Sequence, residues 1–136
     1  MALTFTKKKT GISVDAVKVV NDIFTQAIDA EASDIHLEPS PDGFFIRFRV
    51  DGIMTVVFEG DKMLYDFVTS RIKIMAQLEI TGMPRPQEGN VKFSYKDGYV
   101  DLRVSVFPTS MGECIVIRVL ESEKFFGDYA GLGFNP

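Results

Sequence analysis

The sequence predicts an α+β domain, with one antiparallel sheet of about six strands and two helices packed on one of its faces. Three observations predict it. Two segments carry apolar residues at helical spacing, and six carry them at alternate positions. The turns between successive alternating segments are short, which makes sequence neighbours antiparallel sheet neighbours. The chain has 136 residues, 46% apolar and 25% charged. That is one domain's worth of chain, able to hold a core without staples and too apolar for a disordered polymer. No apolar run reaches the roughly 18–20 residues of a membrane helix. Met1–Lys9 lacks the apolar stretch of a secretory signal. One cysteine, Cys114, excludes an internal disulfide and fits a reducing compartment. The net charge of -4 argues against bulk nucleic-acid binding, so no nucleic-acid partner is expected.

Taken in order, residues 1–13 read as an arm, with Lys7-Lys8-Lys9 as a solvated stretch. Helical spacing over 14–30 puts Val17, Val20, Phe24, Ala27 and Ile28 on one stripe. Ser13 is the predicted N-cap and Asp15 sits in the first turn. From Ser33 the period becomes two, with Ile35 and Leu37 alternating with Asp34, His36 and Glu38. Pro39 to Gly43 turns the chain into a strand over Phe44–Val50, and Asp51-Gly52 turns it into another over Ile53–Phe58. Asp61 caps a predicted helix over 62–79 with the stripe Leu64, Phe67, Val68, Met75 and Leu78. Pro84 and Pro86 exclude helix and central strand from Gly82 to Gly89. Strands follow at Asn90–Tyr95, Tyr99–Phe107 and Glu113–Leu120, divided by turns at Lys96–Gly98 and Pro108–Gly112. The order α-β-β-β-α-β-β-β has a PAS-like appearance. Residues 121–136 are Gly- and aromatic-rich, with no clear period.

The arginines carry the chemistry. All six lie between Arg47 and Arg118, in structured segments. Arginine is preferred where a planar fork must grip a carboxylate or phosphate. Strand alternation puts Phe44, Ile46, Phe48 and Val50 on one face and Arg47, Arg49 and Asp51 on the other. It likewise sets Asp101, Arg103 and Ser105 opposite Val100, Leu102, Val104 and Val106. Two uses are open for these arginines: cross-strand ion pairs with Asp51 and Asp101, or binding of an anion. Arg71 falls within the apolar stripe of its helix, so it either snorkels to an acid or aims at an anion in a neighbouring domain. Arg85 stands between two prolines in an irregular loop, as part of a stiff connector or as a functional loop residue.

Other chemistries find little support. Asp34, His36 and Glu38 alternate like metal ligands, but the outer pair on a strand lies about 13 Å apart, too far for one ion. Cys114 has only His36 as a conceivable catalytic partner. No Gly-x4-Gly-Lys-Ser/Thr phosphate loop occurs, and no paired-cysteine zinc spacing.

Five blocks in order nevertheless resemble a known family. They are Ala32-Ser33-Asp34-Ile35-His36-Leu37-Glu38-Pro39; Ile46-Arg47-Phe48-Arg49-Val50-Asp51-Gly52; Ser70-Arg71-Ile72-Lys73-Ile74-Met75-Ala76; Arg85-Pro86-Gln87-Glu88-Gly89; and Val100 to Ser105 continuing through Pro108-Thr109, Gly112-Glu113 and Ile115 to Leu120. Together they resemble the N-terminal (second N) domain of the traffic ATPases of type II secretion and type IV pilus assembly. The resemblance spans about residues 14–134. Leu132-Gly133-Phe134 resembles the lead-in to the ATPase domain of that family.

The resemblance implies a PAS-like N domain over 14–120, with 121–136 as a linker toward a RecA-like ATPase domain that this chain lacks. It implies cytoplasmic homohexamers at the inner membrane, with membrane platform proteins as partners. ATP and magnesium would be held by the ATPase domain of the same or a neighbouring subunit, and this domain alone would hold no cofactor and no catalytic residue. Arginines of the N domain would reach the phosphates as arginine fingers while hydrolysis drives domain motion. Carried over by position, those arginines are Arg49, Arg71, Arg85 and Arg103. One departure stands out: the family's loop places its Arg two residues before the Pro of Pro-Gln, and here that place is Pro84. Two other readings stay open. One is a PAS-like small-molecule sensor, which needs an apolar pocket. The other is a docking module for a membrane platform, using the Lys arm and Phe125, Phe126 and Phe134.

Overall fold

The computed structural model describes residues 8–9 and 15–120. The predicted cap Ser13, the linker 121–136 and its phenylalanines lie outside the described residues. The elements are β1 (Lys8–Lys9), α1 (Ala16–Asp29), β2 (Asp34–Ser40), β3 (Gly43–Val50), β4 (Ile53–Gly60), α2 (Lys62–Met75), β5 (Gln87–Tyr95), β6 (Gly98–Thr109) and β7 (Gly112–Leu120). The sheet order is β1-β4-β3-β2-β7-β6-β5. Two three-stranded antiparallel meanders are thus joined where β2 pairs antiparallel with β7. The predicted α+β arrangement of six antiparallel strands and two helices is what the chain adopts. The two-residue β1 is the addition. Lys8–Lys9, expected as solvated arm, pairs its backbone in parallel with Glu59–Gly60 of β4.

Alternation decides what the sheet buries. Ile35 and Leu37 of β2 stand level with Phe48 and Ile46 of β3 on one side and with Ile117 and Ile115 of β7 on the other. Val104 and Val106 continue these rows on β6. All are buried in one cluster with Val20, Phe24 and Ile28 of α1 and Leu64, Val68 and Ile72 of α2. Both helices therefore cover the same face, and the other face, which carries the charged residues of the strands along with Phe45, Val56 and Val116, is uncovered among the described residues. The hairpins use two-residue loops, since strand pairing runs to Ser40↔Gly43, Val50↔Ile53, Tyr95↔Gly98 and Thr109↔Gly112. At Asp51-Gly52 both residues have positive φ, 53° and 79°, matching the twist a tight hairpin needs.

The helices differ from expectation at their ends. Asp15 is the N-cap of α1, its side chain accepting from Val17 N, rather than a first-turn residue. Asp61 caps α2 as predicted, accepting from Leu64 N at 2.8 Å. Helix α2 stops at Met75 rather than 79. Gln77 turns left-handed at φ 61°, and Leu78 N donates to Lys73 O at 2.8 Å, closing a Schellman-type end. Helix α1 ends the same way, through Glu31 at φ 60° and Ala32 N to Ala27 O. Phe67, assigned to the α2 stripe by spacing, is exposed, and Val17 on α1 likewise. The buried positions of α2 run through Leu64, Tyr65, Val68, Thr69, Ile72 and Lys73 instead.

Candidate functional site

The uncovered sheet face gathers arginines into one row. Asp34 on β2 stands opposite Arg49 on β3 and opposite Arg118 on β7. Arg118 stands opposite Arg103 on β6, which in turn faces Asn90 on β5. Arg49 and Arg103 are three strand spacings apart, about 14 Å, with Arg118 between them. Three guanidinium groups thus share a row with one carboxylate.

That carboxylate is buried. The Asp34 side chain is only 8% exposed and takes Arg118 Nε on Oδ1 at 3.2 Å and Arg49 Nε on Oδ2 at 3.5 Å. Ser33 Oγ donates to Oδ2 at 3.1 Å. Arg49 also donates from Nη1 to Gly52 O at 3.3 Å, which ties it to the β3–β4 turn. Buried Asp34 engages two arginines at their Nε, with Arg49 spending Nη1 on the turn and Arg118 left 67% exposed. Arg103 is exposed and has no carboxylate partner among the described residues. The row is therefore a net cationic strip, two of its three guanidiniums held by a buried carboxylate, of the residue type that grips anionic oxygens.

The next row carries Arg47, His36 and Val116. Arg47 Nη2 pairs with Glu38 Oε2 at 2.5 Å, and its guanidinium lies 5.8 Å from the Phe45 ring centroid. His36 Nδ1 is 3.8 Å from the same Glu38 oxygen. Burial holds the His36 pKa below its ordinary 6.5, against the pull of Glu38 and Asp34. The ion pairs expected with Asp51 and Asp101 do not form. Register supplies Asp34 and Glu38 of β2 as the partners instead, because β2 and not the turn faces β3.

Arg71 and Arg85 stand away from this row. Arg71 sits half-buried on α2, in the layer over the other face of the sheet, and its Nε is buried with no hydrogen-bond partner among the described residues. Arg85 lies in the loop before edge strand β5, with Nη2 2.9 Å from Glu79 Oε1. The loop is pinned at its neck. Gln87 accepts from Glu79 N at 2.9 Å and donates to Glu79 O at 3.0 Å. Gly89 lets the end of α2 settle on β5, since a Cβ there would lie 2.6 Å from Ala76 O. The block from Arg85 to Gly89 is thus a local brace that holds Arg85 in place.

Two features were not singled out from sequence. Arg118 was open to the same alternation argument as Arg103, because Ile115, Ile117 and Val119 mark the buried face of β7. The second has no sequence signal: Lys73 on α2, 7% exposed, reaches Glu113 Oε1 on β7 at 2.5 Å. Beside it Tyr65 OH donates toward the carbonyls of Leu37 and Glu113, and burial pushes its pKa up. This cluster bolts α2 to the sheet. Among the described residues no three His, Cys, Asp or Glu side chains converge to hold a metal ion, and no helix is long and apolar enough to cross a membrane.

Residues 12–136 match the family described as Type II/IV secretion system protein. The chain is 42% identical over 128 residues to the type IV pilus assembly ATPase PilB of Myxococcus xanthus, covering 93% of this chain and 23% of that protein. It is 41% identical over 120 residues to the type II secretion system protein HxcR of Pseudomonas aeruginosa, covering 88% and 26%. It spans about a quarter of the length of these relatives. Among solved structures, the ATPase DotB of Legionella pneumophila shares the fold with a TM-score of 0.51 at 12% identity, over 85% of this chain and 32% of that one.

Proposed function

This chain belongs to the type II/IV secretion system protein family, and from that premise we propose that it serves as the N-terminal domain of a secretion or pilus-assembly traffic ATPase. Its open sheet face presents arginines to the phosphates of a nucleotide held by a separate ATPase domain. The observation that carries this reading is the row Arg49–Asp34–Arg118–Arg103. A lone structural ion pair needs one arginine per acid. This row sets three against one, and buries the acid rather than the arginines. Arg103, the outer fork of Arg118 and Nη2 of Arg49 are then available to oxygens arriving from outside.

Physically, phosphoryl transfer needs positive charge placed where negative charge spreads over the phosphate oxygens. Donors fixed before the reaction do this without reorganisation. Asp34 supplies the fixing: it holds two guanidiniums in orientation and lowers their mutual repulsion. The domain contributes no nucleophile or base, so in isolation it turns over no nucleotide, and ATP with magnesium is the business of the ATPase domain. Arg71 and Arg85, on the helical layer and its adjoining loop, would meet a different surface from the sheet row. In a hexamer each domain touches more than one neighbour, so the two surfaces would serve different subunits. The bolt between Lys73 and Glu113 makes helix layer and sheet move as one body. Closure on nucleotide would then be passed on as a rigid displacement to partners at the inner membrane.

The test uses a longer protein that carries both this domain and its ATPase domain. Arg103→Ala and Arg118→Ala should each lower kcat for ATP hydrolysis by at least about tenfold, the scale for losing one preorganised donor or more. The fold, checked by circular dichroism, should be unchanged. Full turnover in both variants would refute the phosphate-contact reading.

A further inference from the structure

Strand β5 ends the sheet on the side away from β1, and no strand lies beyond it among the described residues. It pairs with β6 from Gln87↔Val106 to Tyr95↔Gly98. Alternation sorts its side chains. Val91 and Phe93 belong to the buried cluster under the helices, while Glu88, Asn90, Lys92 and Ser94 are exposed on the uncovered face. Pro86 bounds the strand at one end and the turn at Lys96-Asp97 bounds it at the other.

Charge on an edge strand ordinarily keeps a second strand away. The charges of β5 fit a copy of themselves instead. Let β5 of a second copy lie antiparallel beside it, with the same faces outward. A register centred on Asn90 then sets Glu88 opposite Lys92 twice, once on each side of the centre. Centring on Gly89 or Val91 leaves both charges opposite uncharged residues, and centring on Glu88 or Lys92 sets like charges face to face. Within one copy Lys92 stands level with Asp101, and Glu88 with Ser105. Across the joined edge the row reads Asp101, Lys92, Glu88, Ser105, the last two from the second copy. Lys92 Nζ also bonds the Tyr99 hydroxyl at 3.3 Å. An ammonium has three donors, so a carboxylate can join that contact. Asn90 meets Asn90 on the two-fold axis, where one amide donates to the carbonyl of the other.

We infer that two copies of this chain pair antiparallel through β5, centred on Asn90, into one continuous sheet. The pairing stands apart from the nucleotide reading but bears on the same face. Asn90 is the register partner of Arg103. The arginine rows of the two copies therefore become collinear, with their Arg103 residues three strand spacings apart, about 14 Å. Main-chain hydrogen bonds supply the affinity, and the two Glu88–Lys92 pairs supply the register. One strand edge is a small interface, so the dimer forms reversibly and at high protein concentration.

Sedimentation velocity on the full chain, over a concentration series up to its solubility limit, tests this. The unaltered chain should pass from monomer to dimer. Glu88→Lys and Lys92→Glu each set like charges opposite one another twice, and each should raise the dimer Kd at least about tenfold. Glu88→Lys with Lys92→Glu in one chain restores the opposite charges and should regain most of the lost affinity. Both side chains are exposed, so circular dichroism should show an unchanged fold in all variants. A chain that stays monomeric throughout the series would overturn the inference. So would a dimer whose Kd ignores the single reversals, or one that the double variant does not restore.

Discussion

Replacing Asp34 by Asn keeps the shape of the side chain and removes its charge. The structure allows the cost to be worked through. Asp34 accepts from Arg118 at 3.2 Å and from Ser33 at 3.1 Å, and pairs ionically with Arg49 at 3.5 Å. The two arginines are 67% and 40% exposed, so each can turn to water, and each lost pair costs about 0.2–1 kcal/mol. Weakening the hydrogen bond from Ser33, from a charged to a neutral acceptor, costs about 1 kcal/mol more. Arg118 then faces Arg103 with no counter-charge beside it. Against these losses, an amide is cheaper to bury than a carboxylate. The expected loss is about 1–2 kcal/mol, which lowers Tm by about 4–8 °C in a domain of this size. Thermal and urea unfolding at low salt measure it. The difference should shrink in about 1 M salt, where the Debye length falls to roughly 3 Å. If Asp34→Asn is as stable as the unaltered protein at low salt, the anchoring role of Asp34 is wrong.

Other outcomes follow from the same geometry. Glu113→Gln strands the buried Lys73 ammonium and should cost about 3–5 kcal/mol, with Lys73→Met in the same chain restoring most of it in urea unfolding. Gly89→Ala sets a methyl 2.6 Å from the Ala76 carbonyl oxygen and should destabilise by about 1–3 kcal/mol, with chemical-shift changes centred on residues 76–89. His36 is the only histidine, so its NMR titration is unambiguous. Its midpoint should fall below 6.5 because burial disfavours the charged ring. The linkage sign follows: the unfolded chain binds the proton more readily, so stability is full above about 6.5 and declines as pH falls through the folded midpoint. A midpoint above 6.5 would contradict this.

Much of the fold is legible in the sequence because burial on one sheet face leaves a period-two trace. The same trace places Arg49 and Arg103 on the uncovered face and could have placed Arg118. The helix ends were harder to read. Gln77 and Glu31 adopt left-handed φ without being glycine, so the apolar pattern of α2 runs on to 79 with no stop signal in the sequence. Ion-pair partners depend on register between strands distant in sequence, which is why Asp51 and Asp101 stood in for Asp34 and Glu38. Lys73 and Glu113, forty residues apart, carry no local signature at all. The motif around Gln87 was legible as a motif, while its work as a brace on Glu79 shows only once the backbone closes.

The central claim is that the sheet-face arginines meet nucleotide phosphates. Its most direct measurement is a structure of a longer protein, carrying this domain and its ATPase domain, bound to a non-hydrolysable ATP analogue. The account predicts guanidinium nitrogens of Arg103 and Arg118 within about 3.2 Å of phosphate oxygens in at least one subunit. A nucleotide-filled ring in which the row faces solvent in every subunit would contradict it.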